Sequence, residues 1–119
     1  MNTIKVVEFL NNSNLLSSTK ANLLYKQMLK YLNNSESLIL DFSDYTSISS
    51  SFLNSTIGQL IIEKQLDSKE KLFKIVKIIG LSEDDMDNLI LTVQNAIFKN
   101  NLLSQGQNIE DIYSNYITY

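Results

Sequence analysis

The chain has no cysteine, no histidine and no proline, and all ten of its basic residues are lysine. Without cysteine there are no disulfides, no thiolate nucleophile and no cysteine-based zinc site. Without histidine the usual general base near neutral pH is missing, and so is the commonest transition-metal ligand. Without arginine there is no bidentate clamp for phosphate, carboxylate or guanine. The three glycines, Gly58, Gly80 and Gly106, lie far apart and make no phosphate-cradling loop. No apolar run approaches the roughly 18 residues that suggest a membrane span. Near the start, Asn11, Asn12 and Ser13 interrupt too soon for the apolar core of a signal peptide. A net charge of −3 argues against nucleic-acid binding. The expectation is a cytoplasmic protein with no cofactor, no metal site, no nucleic-acid partner and no membrane partner.

What is present is enough for one core: 119 residues, 44% of them hydrophobic. Residues 3–10, TIKVVEFL, are rich in β-branched side chains and predict a strand. Ser17, Ser18 or Thr19 is placed to cap a helix over 20–32, where Ala21, Leu24, Met28 and Leu32 recur at helical spacing. Asn33, Asn34 and Ser35 end it, because Asn tolerates the left-handed conformation of a C-terminal cap. Residues 38–42 predict a second strand, apolar on consecutive positions as if covered on both faces. After a polar stretch from Ser43 to Ser51, a second helix is predicted over 52–66, capped by Ser50 or Ser51 and striped by Leu53, Ile57, Leu60 and Ile61. Gly58 inside it suggests close packing on the sheet.

A charged turn, 67–71, leads to a third predicted strand over 72–79, which Lys74 and Lys77 mark as nearer the sheet edge. Ser82 and Asp85 have capping-box spacing, and Glu83, Asp84 and Asp85 suit a helix start. The stripe Met86, Leu89, Ile90, Val93, Ile97 carries that helix to about Asn100–Asn101. A short C-terminal helix is predicted over 108–119, with Ile109, Ile112, Tyr113 and Tyr116 on one face. The expected architecture is α/β: a small, mainly parallel sheet with helices in the order β-α-β-α-β-α, plus the short C-terminal helix. The expected body spans 1–100 and the tail 101–119.

The central stretch resembles the STAS domain, the fold of bacterial anti-sigma-factor antagonists. Those proteins carry an apolar-Asp-apolar strand end, a loop, and an Asp-Ser-Ser-Gly motif opening a helix. Leu40-Asp41-Phe42 matches the strand end. Ser50 and Ser51 match the Ser pair, while Ser49 stands where the family has Asp and Phe52 where it has Gly. The sequence is more similar to a divergent branch, the bacterial STAS-like domains of unknown function, through Asp41-Phe42 and Ser50-Ser51-Phe52-Leu53-Asn54. The resemblance covers roughly residues 3–98. It implies a non-enzymatic signalling module that docks on a histidine-kinase-like ATPase. By the same resemblance Ser51 is the phosphoacceptor position, with Ser50 the lesser candidate.

Two roles therefore compete for the serine triplet: an N-cap in a polar loop, or a regulated site. Serine catalysis would need an activating base, and only lysine is at hand. No lysine follows the cluster at Ser-x-x-Lys spacing. The acidic residues from Glu83 to Asp87 do not have calcium-loop spacing, and helix capping accounts for them. The expected partner surface comprises Thr46, Ser49, Ser50, Ser51, Asn54, Ser55 and Gln59. The tyrosines of the C-terminal segment, Tyr113, Tyr116 and Tyr119, fit either packing on the body or an interface, including one between copies of the chain.

Overall fold

The structure, a computed structural model, describes residues 2–11 and 16–104. The expected C-terminal helix over 108–119 lies outside the described residues. The elements are β1 (Asn2–Lys5), α1 (Val6–Leu10), α2 (Ser18–Leu32), β2 (Leu38–Asp41), α3 (Ser50–Leu53), a π-helical turn (Asn54–Gly58), α4 (Gln59–Glu63), α5 (Lys69–Ile75), β3 (Val76–Ile79) and α6 (Glu83–Ser104). The three strands form one parallel sheet in the order β1-β2-β3.

The first strand is half as long as the sequence predicts. It stops at Lys5, which pairs with Asp41, the last residue of β2. With no partner left to extend along, residues 6–10 turn into α1, whose Val6 and Leu10 are both buried four positions apart. Asn11 closes this helix in the left-handed region, φ 50, its N–H donating to the Glu8 carbonyl at 3.2 Å.

The helix expected over 20–32 is present with the expected buried stripe of Ala21, Leu24, Met28 and Leu32. Its left-handed residue is Ser35, φ 60, rather than either asparagine. At the other end Ser17 is the N-cap, but its hydroxyl meets Thr19 Oγ1 at 2.8 Å instead of a backbone amide.

The second strand is covered on one face, not two. Leu38 and Leu40 are buried, while Ile39 and Asp41 are half-buried. The register sets Ile4, Leu40 and Ile78 in one row of the covered face, and Lys5, Asp41 and Ile79 in one row of the other. Both crossovers step the same way across the sheet, so crossovers of common hand lay their helices on a single face. The core lies there, between the sheet and α2 and the α3–α4 segment, with α6 packed against α3–α4 and contributing Leu89, Val93 and Ala96 to it.

The third strand is also shorter than predicted. Residues 69–75 are helical, with Ser68 Oγ accepting the Lys71 amide at 3.3 Å, and only 76–79 pair with β2. Leu72 is buried beneath α5 and Val76 beneath the sheet, so the apolar run LFKIV serves a helix and a strand in turn. Gly80 follows at φ 88, and a Cβ there would lie 2.5 Å from the Ser43 backbone nitrogen, so only glycine fits this turn.

The last helix runs past the expected stop at Asn100–Asn101 and is described through Ser104. Asn100 does not end it because its side chain is buried and donates to the Leu66 carbonyl at 3.1 Å. Gly58 faces α6 rather than the sheet. A Cβ there would sit 3.6 Å from Thr92 Cγ2, an ordinary contact, so packing does not demand glycine.

Candidate functional site

Beyond the C-terminal end of β2 the chain crosses a polar loop and enters α3. Asp41 begins the loop with a tight local turn. Its Oδ1 accepts the Ser43 hydroxyl at 2.6 Å and the Ser43 amide at 2.9 Å. Those two bonds, with a smaller contribution from Lys5, hold the Asp41 carboxyl below the usual carboxylate range. Asp41 thus braces the turn that follows the strand. Lys5, Glu8, Asp41, Ser43 and Asp44 rim a small hollow of about 240 Å³ at this end of the sheet.

The middle of the loop is pinned by a residue far away in sequence. Leu16, fully buried, forms a parallel bridge with Ile48: its N–H donates to the Ser47 carbonyl at 3.0 Å, and its carbonyl accepts the Ser49 amide at 2.9 Å. This two-bond clasp fixes where the next helix starts. The N-cap is Ser49, not Ser50 or Ser51: its backbone is extended, and its Oγ accepts the Phe52 amide at 3.1 Å. Ser49 Oγ also lies 2.9 Å from Ser51 Oγ and 3.3 Å from the Leu16 carbonyl.

The side chain after the serine pair explains itself by packing. Phe52 is fully buried and meets Phe42 edge-to-face, ring centres 6.5 Å apart. Where the STAS motif has glycine, this chain has a core anchor that draws the helix start onto β2. A π-helical turn follows at once. Thr56, also fully buried, donates its hydroxyl to the Phe52 carbonyl at 2.8 Å, satisfying an acceptor that the widened turn disturbs.

The expected surface residues divide into two groups. Thr46, Ser50 and Ser51 are exposed on the loop and first helical turn, with Ser49 half-buried among them. Asn54 and Gln59 are exposed on the other flank, where they line a cleft of about 370 Å³ with Asn95 and Lys99 of α6. Ser55 is half-buried in the π-helical turn between the groups.

Two features of the site have little trace in the sequence. Leu16 reads as one apolar residue in a polar turn, and nothing local announces its bridge to Ile48. Tyr45 lies in the loop, yet its hydroxyl accepts the Ser82 amide at 3.0 Å and donates toward Asp85, tying the loop to the start of α6. Ser82 Oγ accepts the Asp85 amide at 3.2 Å, so the capping pair legible in the sequence is the part of this junction that could be foreseen.

Among the described residues no group of three or more acidic side chains is arranged to hold a metal ion, and no helix is long and apolar enough to cross a membrane. No curated protein and no solved structure matches the chain. A family model does, over residues 20–86, which take in α2, β2, the clasped loop, α3 to α5, β3 and the first turn of α6. The match spans more than half of the chain and includes both the serine pair and the strand end before it, and on that ground the chain belongs to the family of STAS-like domains of unknown function (DUF4325).

Proposed function

We propose that this STAS-like domain is a non-enzymatic, cytoplasmic signalling module that docks a protein partner on the surface from Thr46 to Gln59, the partner being an ATPase of histidine-kinase-like fold. One observation carries the reading: Ser50, Ser51 and Asn54 are exposed on a helix start that the Leu16 clasp and Phe52 hold rigidly in place. A recognition surface built on fixed backbone loses little conformational entropy on binding. Thr46, Ser55 and Gln59 extend the surface on either side.

The test uses an ATPase of that fold recovered with the full chain from a lysate of the source organism in the presence of ATP. Calorimetry with wild type and Ser51→Glu should show at least about a tenfold loss of affinity, roughly 1.4 kcal/mol. Unchanged affinity removes this surface from consideration.

A second reading is favoured by the exposure of Ser51. Its hydroxyl lies in the first helical turn, where the dipole and nearby amides accommodate added negative charge. Ser51 is then the phosphoacceptor, with Ser50 as the lesser candidate. Radiolabelled ATP and the recovered kinase should label wild type and spare Ser51→Ala. Equal labelling of both would put the phosphate elsewhere.

A further inference from the structure

Between α5, β3 and α6 lies an open groove of about 840 Å³ whose wall is mostly apolar, with Phe73, Ile78, Met86, Ile90 and Ile97 in its lining. Phe73 and Ile90 are 45% and 46% exposed. The volume is that of a small-molecule site, within the usual range of about 300–1,000 Å³, and such sites join an apolar lining to a few polar groups. The chain fixes both ends of the groove. At one end the Asn100 side chain donates to the Leu66 carbonyl at 3.1 Å, drawing the close of α6 to the start of α5. At the other, only residues 80–82 separate β3 from α6, so Ile78 and Met86 share the wall there.

Its shape selects a long, narrow occupant. From Met86 to Asn101 the α6 wall is about 22 Å long at roughly 1.5 Å per residue. Spread over that length, 840 Å³ leaves a channel about 7 Å across, narrower than the roughly 10–12 Å of a helix with its side chains. A partner helix would rest on the rim. A single unbranched hydrocarbon chain lies inside and meets apolar wall along its length.

Charge selects the head group. Ser68, Lys69 and Asn101 bring polar groups to the α5 end of the groove. The charged side chains of the lining are Lys69 and Lys77 against Glu70, a positive balance. Among the described residues neither lysine is in an ion pair, whereas Asp67 is already held by Lys71 at 2.8 Å. We infer that the groove binds a long-chain fatty acid. Its hydrocarbon chain lies along α6 from Ile97 toward Met86, and its carboxylate sits at Lys69, with Lys77 adding to the positive field.

Calorimetric titration of the full chain with laurate and with dodecyltrimethylammonium, both below their micelle concentrations, tests this. The two share one tail and differ in the charge of the head. Laurate should bind saturably and at least about fivefold more tightly than the cation. Ile90→Glu sets a carboxylate in the path of the tail and should weaken laurate at least about tenfold. Absence of laurate binding, equal affinity for the two heads, or an unchanged laurate affinity in Ile90→Glu each overturns the inference. A groove that ignores laurate and takes up an acidic amphipathic peptide belongs to a protein partner, which overturns it as well. Should the variant fail to fold, chemical shifts of the unmodified chain decide. Laurate should move the methyl signals of Met86, Ile90 and Ile97 and leave those of Leu23, exposed on α2, in place. Shifts confined to residues outside the groove refute it.

Discussion

The serine loop and the apolar groove between α5, β3 and α6 share no lining residue and present opposite chemistry. In the loop, polar groups already have partners within the chain. Ser49 caps the helix, Ser51 meets Ser49, Asp41 holds Ser43, and Tyr45 reaches Ser82. In the groove, Phe73 and Ile90 are 45% and 46% exposed, apolar surface to which water offers nothing in return. A polar loop can therefore be complete as structure and still be read as a site, whereas an apolar groove is read from the side chains it leaves exposed. The experiments that follow separate the loop into framework and surface.

The largest expected effect breaks the framework under the loop. Phe52→Ala removes a fully buried ring beside Phe42 and should cost about 3–5 kcal/mol in urea unfolding. A cost below about 1 kcal/mol would mean that the helix start is not anchored by its core residue. The result bears on the family motif too. Here the ring, and not only the serines, defines the loop.

A smaller effect sharpens the division within the serine triplet. Ser49→Ala removes the cap and should cost about 1 kcal/mol, within the usual spread of about 0.5–2. Ser51→Ala touches an exposed hydroxyl and should stay within about 0.5 kcal/mol. Equal costs in the two variants would erase the distinction between a serine that builds the loop and one that is displayed by it.

The sequence is most legible where periodicity runs long. The α2 stripe runs from Ala21 to Leu32, and the capping pair Ser82–Asp85 announces α6. It is least legible where short elements adjoin. Val6 to Leu10 is β-branched at its start, and five residues hold too little helical period to overrule that propensity. Leu72 to Ile79 is apolar at positions that suit either a helix or a strand, and the boundary at Val76 is set by where β2 begins to offer partners. The run Leu38-Ile39-Leu40 resembles a strand buried on both faces because Ile39 is apolar, although its face of the sheet is only partly covered. In the site, three consecutive serines are equivalent caps on paper. Leu16 breaks the tie through hydrogen bonds that span more than thirty residues, and no local signal carries them.

The smallest expected effect tests whether the loop's hold on the sheet is electrostatic, as nothing in the apolar groove need be. The Ser43 hydroxyl and amide donate to Asp41 and favour its charged form, so its carboxyl titrates below the unfolded value of about 3.9. The sign follows from proton uptake. Between the folded and unfolded values the unfolded chain binds more protons, so stability rises with pH there. The contribution is fully present above the unfolded value and is lost as pH falls through the folded one. Thermal unfolding of wild type and Asp41→Asn should therefore differ by a small amount at pH 6, and the two curves should converge as the solution is taken below about pH 3.9. Curves that stay parallel through that range would mean that the turn is held by its geometry alone. The charge at the strand end would then be dispensable, and the contrast between the two regions would lie in polarity, with no part played by charge.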